Sequence, residues 1–413
     1  MALTRTVNMS THDALFKEFY GGEGSTSLVN AKTPLASILM KNKKVDFVGD
    51  QFIAPVRFGS AVGLGYRAQG SNLPAPVPSP RGKAAFPAKR AYGTVSYDRE
   101  AIVASRNDRG AFAKVTVDET EALIEGFMLH NVERALFGDG SGKLGEVSSL
   151  SGSGTEASPW VITGATTGTN APKHKKRYYP KGAKIDLYTQ AGVYQLTARV
   201  VAASSTTVSL VLISTGSVAT PVAGDILYWE GNKDGEITGL KKLVSAGTIY
   251  GIDNSVDTEF RGLDEEITGA LQVDDLNDAV SDLEEESESP NMAVTSHAAL
   301  ALLKNQLEDQ KRYESATVKS SDGKIGFSGI MVMSDIGPFP IVASQMCPQD
   351  ELWLFNTKCM QLVMRQDFGF FDDDGTILLR NPNKDEFDAR YGGYYEFFCS
   401  KPNTVKRLYG FSV

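Results

Sequence analysis

The spacing of apolar positions changes several times along this 413-residue chain, and each change marks an expected element. From Val45 to Val62 apolar and polar residues partly alternate, and they do so again from Ala84 to Ala104 through Ala91, Gly93, Val95, Tyr97, Ile102 and Val103. Side chains of a strand point to opposite faces in turn, so both runs predict long strands. Between them, Gly63 to Lys83 contains Pro74, Pro76, Pro78 and Pro80 with Gly65, Gly70 and Gly82. Proline lacks the N–H that a helix or central strand needs, so this stretch predicts a mobile tip. Ile124, Phe127, Met128, Val132, Ala135 and Leu136 then recur at helical spacing and form one stripe on a helix of about 20 residues.

That helix is predicted from Thr116 to Phe137. Thr116-Val117-Asp118-Glu119 has the form of a capping box, in which hydroxyl and carboxylate satisfy the first N–H groups. Asp118, Glu119, Glu121 and Glu125 favour the positive end of its dipole. Gly138-Asp139-Gly140-Ser141-Gly142-Lys143 follows. A phosphate-binding loop would need a strand before it, a helix after it, and Ser or Thr following the lysine; Leu144 stands there instead. The segment is read as a helix-terminating turn.

From Ser151 to Asn232 the composition shifts to Thr, Ser, Val and Gly, with candidate strands at Trp160 to Thr163, Ala183 to Thr189, Tyr194 to Ala203, Thr206 to Ile213 and Asp225 to Glu230. Five short strands separated by turn signals predict a small barrel or sandwich inserted in the chain. After Gly239-Leu240 the pattern becomes mixed. Helices are expected around Leu271 to Glu285 and Ser296 to Glu308, and strands at Asn291 to Thr295, Phe327 to Ser334 and Pro340 to Ser344. The tail alternates at Leu352 to Phe355, Met360 to Arg365, Thr376 to Arg380 and Tyr394 to Cys399, which predicts one antiparallel sheet with Asp372-Asp373-Asp374-Gly375 as a turn.

Composition narrows the function classes. With 41% hydrophobic and 22% charged residues the chain is globular, and a net charge of -8 argues against a protein that grips phosphate backbone. The acids are not evenly spread. Asp253 to Glu288 holds fourteen acids against one base, Arg261, and reads as a solvated face. Gln51 to Gly110 holds nine Lys and Arg against three acids, a local balance of +6. Cys347, Cys359 and Cys399 are too few and too far apart for a disulfide framework or a paired zinc site, so buried free thiols are expected. No apolar run is long enough to cross a membrane.

Catalytic and metal chemistry find no support. His12, His130, His174 and His297 form no metal-binding pair, and His130 is read as a packed core or interface histidine. His174 stands in a loop with Lys173, Lys175, Lys176 and Arg177, a solvated cluster. The triple aspartate lacks the alternating spacing of a calcium loop, and no nucleophile elbow or dinucleotide fingerprint occurs. No catalytic residue, cofactor or metal is assigned.

The order of these parts resembles the major capsid proteins of tailed double-stranded DNA bacteriophages, the Hong Kong 97 fold family. Ala135 to Gly142 looks like that family's helix exit, Gly239-Leu240 like the opening of its axial domain, Met292-Ala293-Val294 like the core of that domain, and Asn383 to Val413 like its closing strands. The resemblance implies an α+β fold with an N-terminal arm at 1–44, an extended hairpin at 45–109, and a spine helix with the first part of a peripheral domain at 110–150. It further implies a β-barrel-like insertion at 151–235, an axial domain at 236–345 and closing peripheral strands at 346–413. It implies a structural protein, not an enzyme, self-assembling into hexamers and pentamers of an icosahedral virion capsid in the host cytoplasm. A separate scaffolding protein, a portal, a possible decoration protein and DNA packaged without sequence specificity are the implied partners, with no membrane. An encapsulin-like compartment and a β-rich carbohydrate-binding surface protein are the alternatives. On the physical side, the basic hairpin and the acidic start of the spine are complementary, which makes Arg67, Arg81, Lys83, Lys89, Arg90, Glu119, Glu121 and Glu125 the candidate contacts between subunits.

Overall fold

The computed structural model describes residues 33–41, 49–98, 120–164, 176–204, 207–213, 220–286, 288–310, 314–320, 323–334, 337–372, 375, 377–380 and 385–413. The capping box at Thr116 to Glu119, the strand expected beyond Asp98 and the basic loop around His174 lie outside them.

Residues 120–136 are helical, with a π segment at Met128–Glu133 and a last α turn at Arg134–Leu136. All six residues of the expected stripe are buried. Burial extends further than the stripe, however, because 132–137 are buried in succession and include Glu133 and Arg134. This end of the helix is covered on every side, so its charged groups need partners. The helix lies on a four-stranded sheet whose central strand, Glu386–Cys399, pairs antiparallel with Met360–Phe370, Leu378–Arg380 and Lys89–Asp98. Phe127 meets Phe368 and Tyr391 edge-on across that contact, at 5.4 and 5.1 Å between ring centroids.

The expected long strand from Ala84 is in fact two strands with different partners. Arg81–Pro87 pairs with Gln51–Arg57, from Gln51 opposite Pro87 to Arg57 opposite Arg81, whereas Lys89–Asp98 crosses to the four-stranded sheet. Pro87 has no N–H to continue the ladder, and the partner changes there.

A second sheet of seven strands runs in the order Leu263–Glu266, Lys406–Tyr409, Glu351–Phe355, Met292–Thr295, Gly337–Ala343, Gly323–Ser334, Glu314–Ser320. Alternate residues of its central strands enter different cores. Ala293, Ile341, Leu352 and Leu354 pack under the helices Val273–Glu286 and His297–Gln310, while Met292, Val294, Val342, Trp353 and Phe355 face the main core. The tail expectation needs correcting on this point. Glu351–Phe355 and Lys406–Tyr409 belong to the seven-stranded sheet, not to one sheet with Met360–Phe370 and Glu386–Cys399. Being buried on both faces they alternate little, and alternation cannot say which sheet a strand joins. The acidic run is not wholly a solvated face either. Asp264 takes Arg407 through two bonds, at 2.7 and 3.1 Å, and Glu265 and Asp282 both neutralise the buried Lys406.

Between helix and seven-stranded sheet the chain forms a closed six-stranded barrel, Lys143–Ser151, Trp160–Gly164, Thr207–Leu212, Tyr194–Ala203, Lys184–Tyr188 and Ile226–Trp229 around the ring. Its first strand, Lys143–Ser151, lies ahead of the composition shift at Ser151. Bulges break its pairing between Lys143 and Gly145 and again between Val147 and Ser149. They spread Leu144, Val147 and Leu150 to a spacing of three, which hides the strand from a search for alternation.

The two ends of the barrel segment meet. Gly142 has φ +79° and its Cα faces the Asn232 carbonyl so closely that a side chain would collide with it, and the Asp234 N–H donates to the Ser141 carbonyl at 2.8 Å. A short Gly and Ser linker from Ser141 to Asp234 should therefore replace the barrel and leave a folded remainder, since closing such a gap costs little chain entropy. Cutting at Ser151 instead should strand one barrel strand and promote aggregation. Circular dichroism and size-exclusion chromatography of the two deletions would separate these outcomes, and an unfolded product from the Ser141 to Asp234 splice would show that the barrel is not separable.

Candidate assembly interface

The hairpin is fixed at its base and free at its end. Phe52 and Phe86, on its two strands, stack with each other at 5.2 Å and both reach Phe398, at 5.5 Å each; Phe86 also meets Tyr250 at 4.9 Å. Tyr250 holds φ +50°, a costly conformation for an aromatic residue, in a tight Tyr250-Gly251 turn. Its carbonyl accepts from the Ala85 N–H and its hydroxyl donates to the Phe397 carbonyl, each at 2.8 Å. Ring packing and two hydrogen bonds thus hold the strained residue against the hairpin root. Further out, Phe58 stacks edge-on against Phe260 at 5.8 Å.

Beyond Phe58 contact with the body stops. The loop runs out and back without regular pairing after the Phe58 N–H bond to the Pro80 carbonyl, and turns at Ala68 to Ser71, where the Ser71 N–H and hydroxyl both donate to the Ala68 carbonyl. Val62, Leu64, Tyr66, Leu73 and Val77 stand exposed along it, Leu64 and Leu73 by more than four-fifths and Tyr66 fully (83%, 86% and 105%). Five large apolar side chains on one projecting loop form a surface that a soluble monomer rarely leaves uncovered.

The charges sort differently from the sequence expectation. Arg57 and Arg81 face each other directly across the hairpin strands, with Lys83 two residues on, and among the described residues none of the three meets a carboxylate. Like charges opposite one another on a strand pair are destabilising unless something neutralises them. Arg67 is exposed beside the tip. Lys89 and Arg90 lie past the paired strands of the hairpin, on the strand that joins the four-stranded sheet. Lys89 donates to the Asp234 carbonyl at 2.9 Å, and the Arg90 guanidinium lies over Tyr394 at 5.9 Å, so both are engaged by their own subunit. Glu121 is exposed on the helix, Glu125 is half-buried there, and Glu119 is outside the described residues. Among the described residues, no ion pair joins the acidic and the basic candidates of one subunit.

The missed residues are the root aromatics Phe52, Phe86, Tyr250 and Phe398 and the buried charges at the helix end. Arg134 pairs there with Glu236, and burial pushes Glu396 up to about 8 despite backbone N–H bonds from Thr238 and Phe397. His130 packs on Trp229 at 5.0 Å, and burial lowers it to about 4. The three cysteines are buried free thiols, and no group of three or more metal-ligating side chains occurs among the described residues. The glycine-rich segment is a turn, as expected, with Asp139 accepting from the Ser141 N–H at 2.9 Å, and Gly375 closes the aspartate turn on the Asp372 carbonyl at 2.7 Å.

The family profile "SU10 major capsid protein" matches residues 228–374. The fold is that of a solved "Cyanophage A-1(L) capsid asymmetric unit", with a TM-score of 0.53 at 10% identity over 93% of this chain and 94% of that one. Part of the chain thus matches a major capsid protein profile, and its fold is that of a solved phage capsid. Structures from Gordonia phage Cozz (TM-score 0.45, 9% identity, 92% of this chain and 87% of that one) and Mycobacterium phage Ogopogo (0.43, 10%, 92% and 93%) are also similar. No curated protein sequence matches. The architecture is the α+β Hong Kong 97 type.

Root and tip of the hairpin should respond differently to truncation. Phe86→Ala removes a buried ring and should cost about 3 to 5 kcal/mol of stability. Tyr66→Ala should leave the melting curve within about 0.5 kcal/mol of wild type yet impair assembly. Calorimetry paired with light scattering checks both, and normal particles from Tyr66→Ala would remove the tip from the interface.

Proposed function

We propose that this capsid protein forms the hexamers and pentamers of an icosahedral shell around the double-stranded DNA of a tailed phage, each hairpin lying on a neighbouring subunit. The hairpin carries the reading: its root is packed, its tip is apolar and uncovered, and its strands hold Arg57 opposite Arg81. A neighbour can bury the tip and supply carboxylates. Glu119, Glu121 and Glu125 at the start of a neighbour's long helix are the proposed acids, facing Arg67, Arg81 and Lys83, with Lys89 and Arg90 at the foot of the hairpin secured within their own chain. Opposite charge on the two elements steers association and sets register more than it adds affinity.

In this reading 1–44 is the arm, 45–109 the hairpin region, 110–150 the spine and first peripheral part, 151–235 the insertion, 236–345 the axial domain and 346–413 the return. A decoration protein is among the proposed partners. Assembly takes place in the host cytoplasm with a separate scaffolding protein and a portal. A chain of net charge -8 encloses DNA without sequence-specific contacts.

Removing 60–79, with a short turn between Gly59 and Pro80, should leave subunits or capsomers that fold but do not close into shells. Charge reversal of Glu119, Glu121 and Glu125 should slow assembly most at low salt, because at 0.1 M the Debye length is already about 10 Å. Light scattering over an ionic-strength series reads this out. Equal rates for mutant and wild type at low salt would place the acidic partner elsewhere.

A further inference from the structure

The short helix Pro34–Lys41 lies as a strap across the strand Met360–Phe370 and the π segment of the long helix, burying Leu35, Ala36, Ser37 and Leu39. Its first-turn N–H groups converge on one side chain of the long helix. Glu133, wholly buried, accepts from the Ala36 N–H at 2.7 Å and the Leu35 N–H at 3.4 Å, and its carboxyl also accepts from the Ser344 hydroxyl at 2.6 Å. Ser344 follows the strand Gly337–Ala343, and its N–H donates to the Thr295 carbonyl on the adjacent strand at 2.9 Å. One carboxyl group therefore joins strap, long helix and seven-stranded sheet.

We propose that Glu133 is a latch: the strap is docked to the spine and to the seven-stranded sheet through this one group, and whether the group carries a proton sets how firmly the strap is held. The three hydrogen-bond partners are neutral. The charged groups on the elements around it are committed elsewhere: Arg134 to Glu236, His130 against Trp229, and Arg365 of the underlying strand at 3.8 Å from Asp50. Lys41 sits at the opposite end of the strap from the carboxyl. With no cation beside it among the described residues, a buried carboxylate is disfavoured, and burial raises Glu133 from 4.5 to about 7 against the lowering effect of its hydrogen bonds.

The sign follows from linkage. The docked state holds the proton more tightly than a state in which the strap has lifted and the carboxyl meets water. Docking is therefore strongest below about 4.5 and weakens as pH rises through about 7. Between pH 6 and pH 8 the strap's opening constant should rise about tenfold. A titration near neutrality would then loosen the strap from both the long helix and the seven-stranded sheet in one step.

Amide hydrogen exchange of 34–41 in the full chain, corrected for the intrinsic base-catalysed rate, tests this across pH 5.5 to 8.5. Wild type should lose protection about tenfold between pH 6 and pH 8, and Glu133→Gln, which cannot ionise, should stay protected throughout. Equal pH dependence in the two proteins, or none in wild type, would overturn the proposal. Should Glu133→Gln fail to fold, Ser344→Ala keeps the carboxyl and removes a bond that favours its ionised form, so the midpoint of the wild-type profile should move to higher pH. An unmoved midpoint would overturn the proposal equally.

Discussion

A projecting hairpin can be rigid only where its own chain packs against it, and here that support ends at Phe58. Below that point Phe52, Phe86, Tyr250 and Phe398 form a contiguous aromatic cluster, each pair adding roughly 0.5 to 1.5 kcal/mol beyond the burial of area. Above it Leu64, Tyr66 and Leu73 contribute nothing to the fold of their own subunit. The strain at Tyr250 fits this division. A bulky residue in the left-handed region persists only when its surroundings over-determine it, and the surroundings that do so are the hairpin root. The direction in which the tip leaves the body is therefore set by a buried cluster some distance from the surface that the tip serves.

The second organising region is the buried end of the long helix. Three kinds of connection meet there: the strap through Glu133, the foot of the barrel through the Arg134 and Glu236 pair, and the opening of the axial segment, where Gly239 approaches the Gly138 and Ala135 carbonyls too closely for any side chain. Buried ionic groups are poor sources of net stability but expensive to leave unmatched, so they penalise alternative arrangements of the pieces that supply the partners. In the proposed shell, where one fold would occupy differing local environments, charged joints between apolar bodies would let elements move as units better than a continuous apolar core would.

Much of this was legible in the spacing of residues, and what was not has identifiable causes. The apolar stripe from Ile124 to Leu136, the two axial helices and the strands at Met292–Thr295 and Tyr194–Ala203 follow from period alone. Period fails where local geometry departs from the ideal. Bulges in Lys143–Ser151 displaced its apolar residues, and Pro87 divided a run that alternates smoothly into strands of separate sheets. Leu352–Phe355 was visible as an apolar run and Lys406–Tyr409, with two charged residues, was not; which sheet each joins depends on contacts far apart in sequence. The acidic run misled because Asp264, Glu265 and Asp282 are matched by Lys406 and Arg407, more than a hundred residues later.

Of the candidate contacts, composition identified the basic hairpin but could not separate its cations by role. Arg57 and Arg81 share a ladder position, whereas Lys89 and Arg90, a few residues beyond, are held by the barrel foot and by Tyr394. The difference is topological: a single unpaired residue, Ala88, lies between a strand that faces outward and one that closes a sheet inside the subunit. Charge available for association is thus concentrated on the part of the hairpin that has no other use for it. The like-charged pair at Arg57 and Arg81 weakens an isolated hairpin slightly, and in the proposed assembly an acidic neighbour would turn it to advantage, so the same two side chains would oppose the free state and favour the bound one.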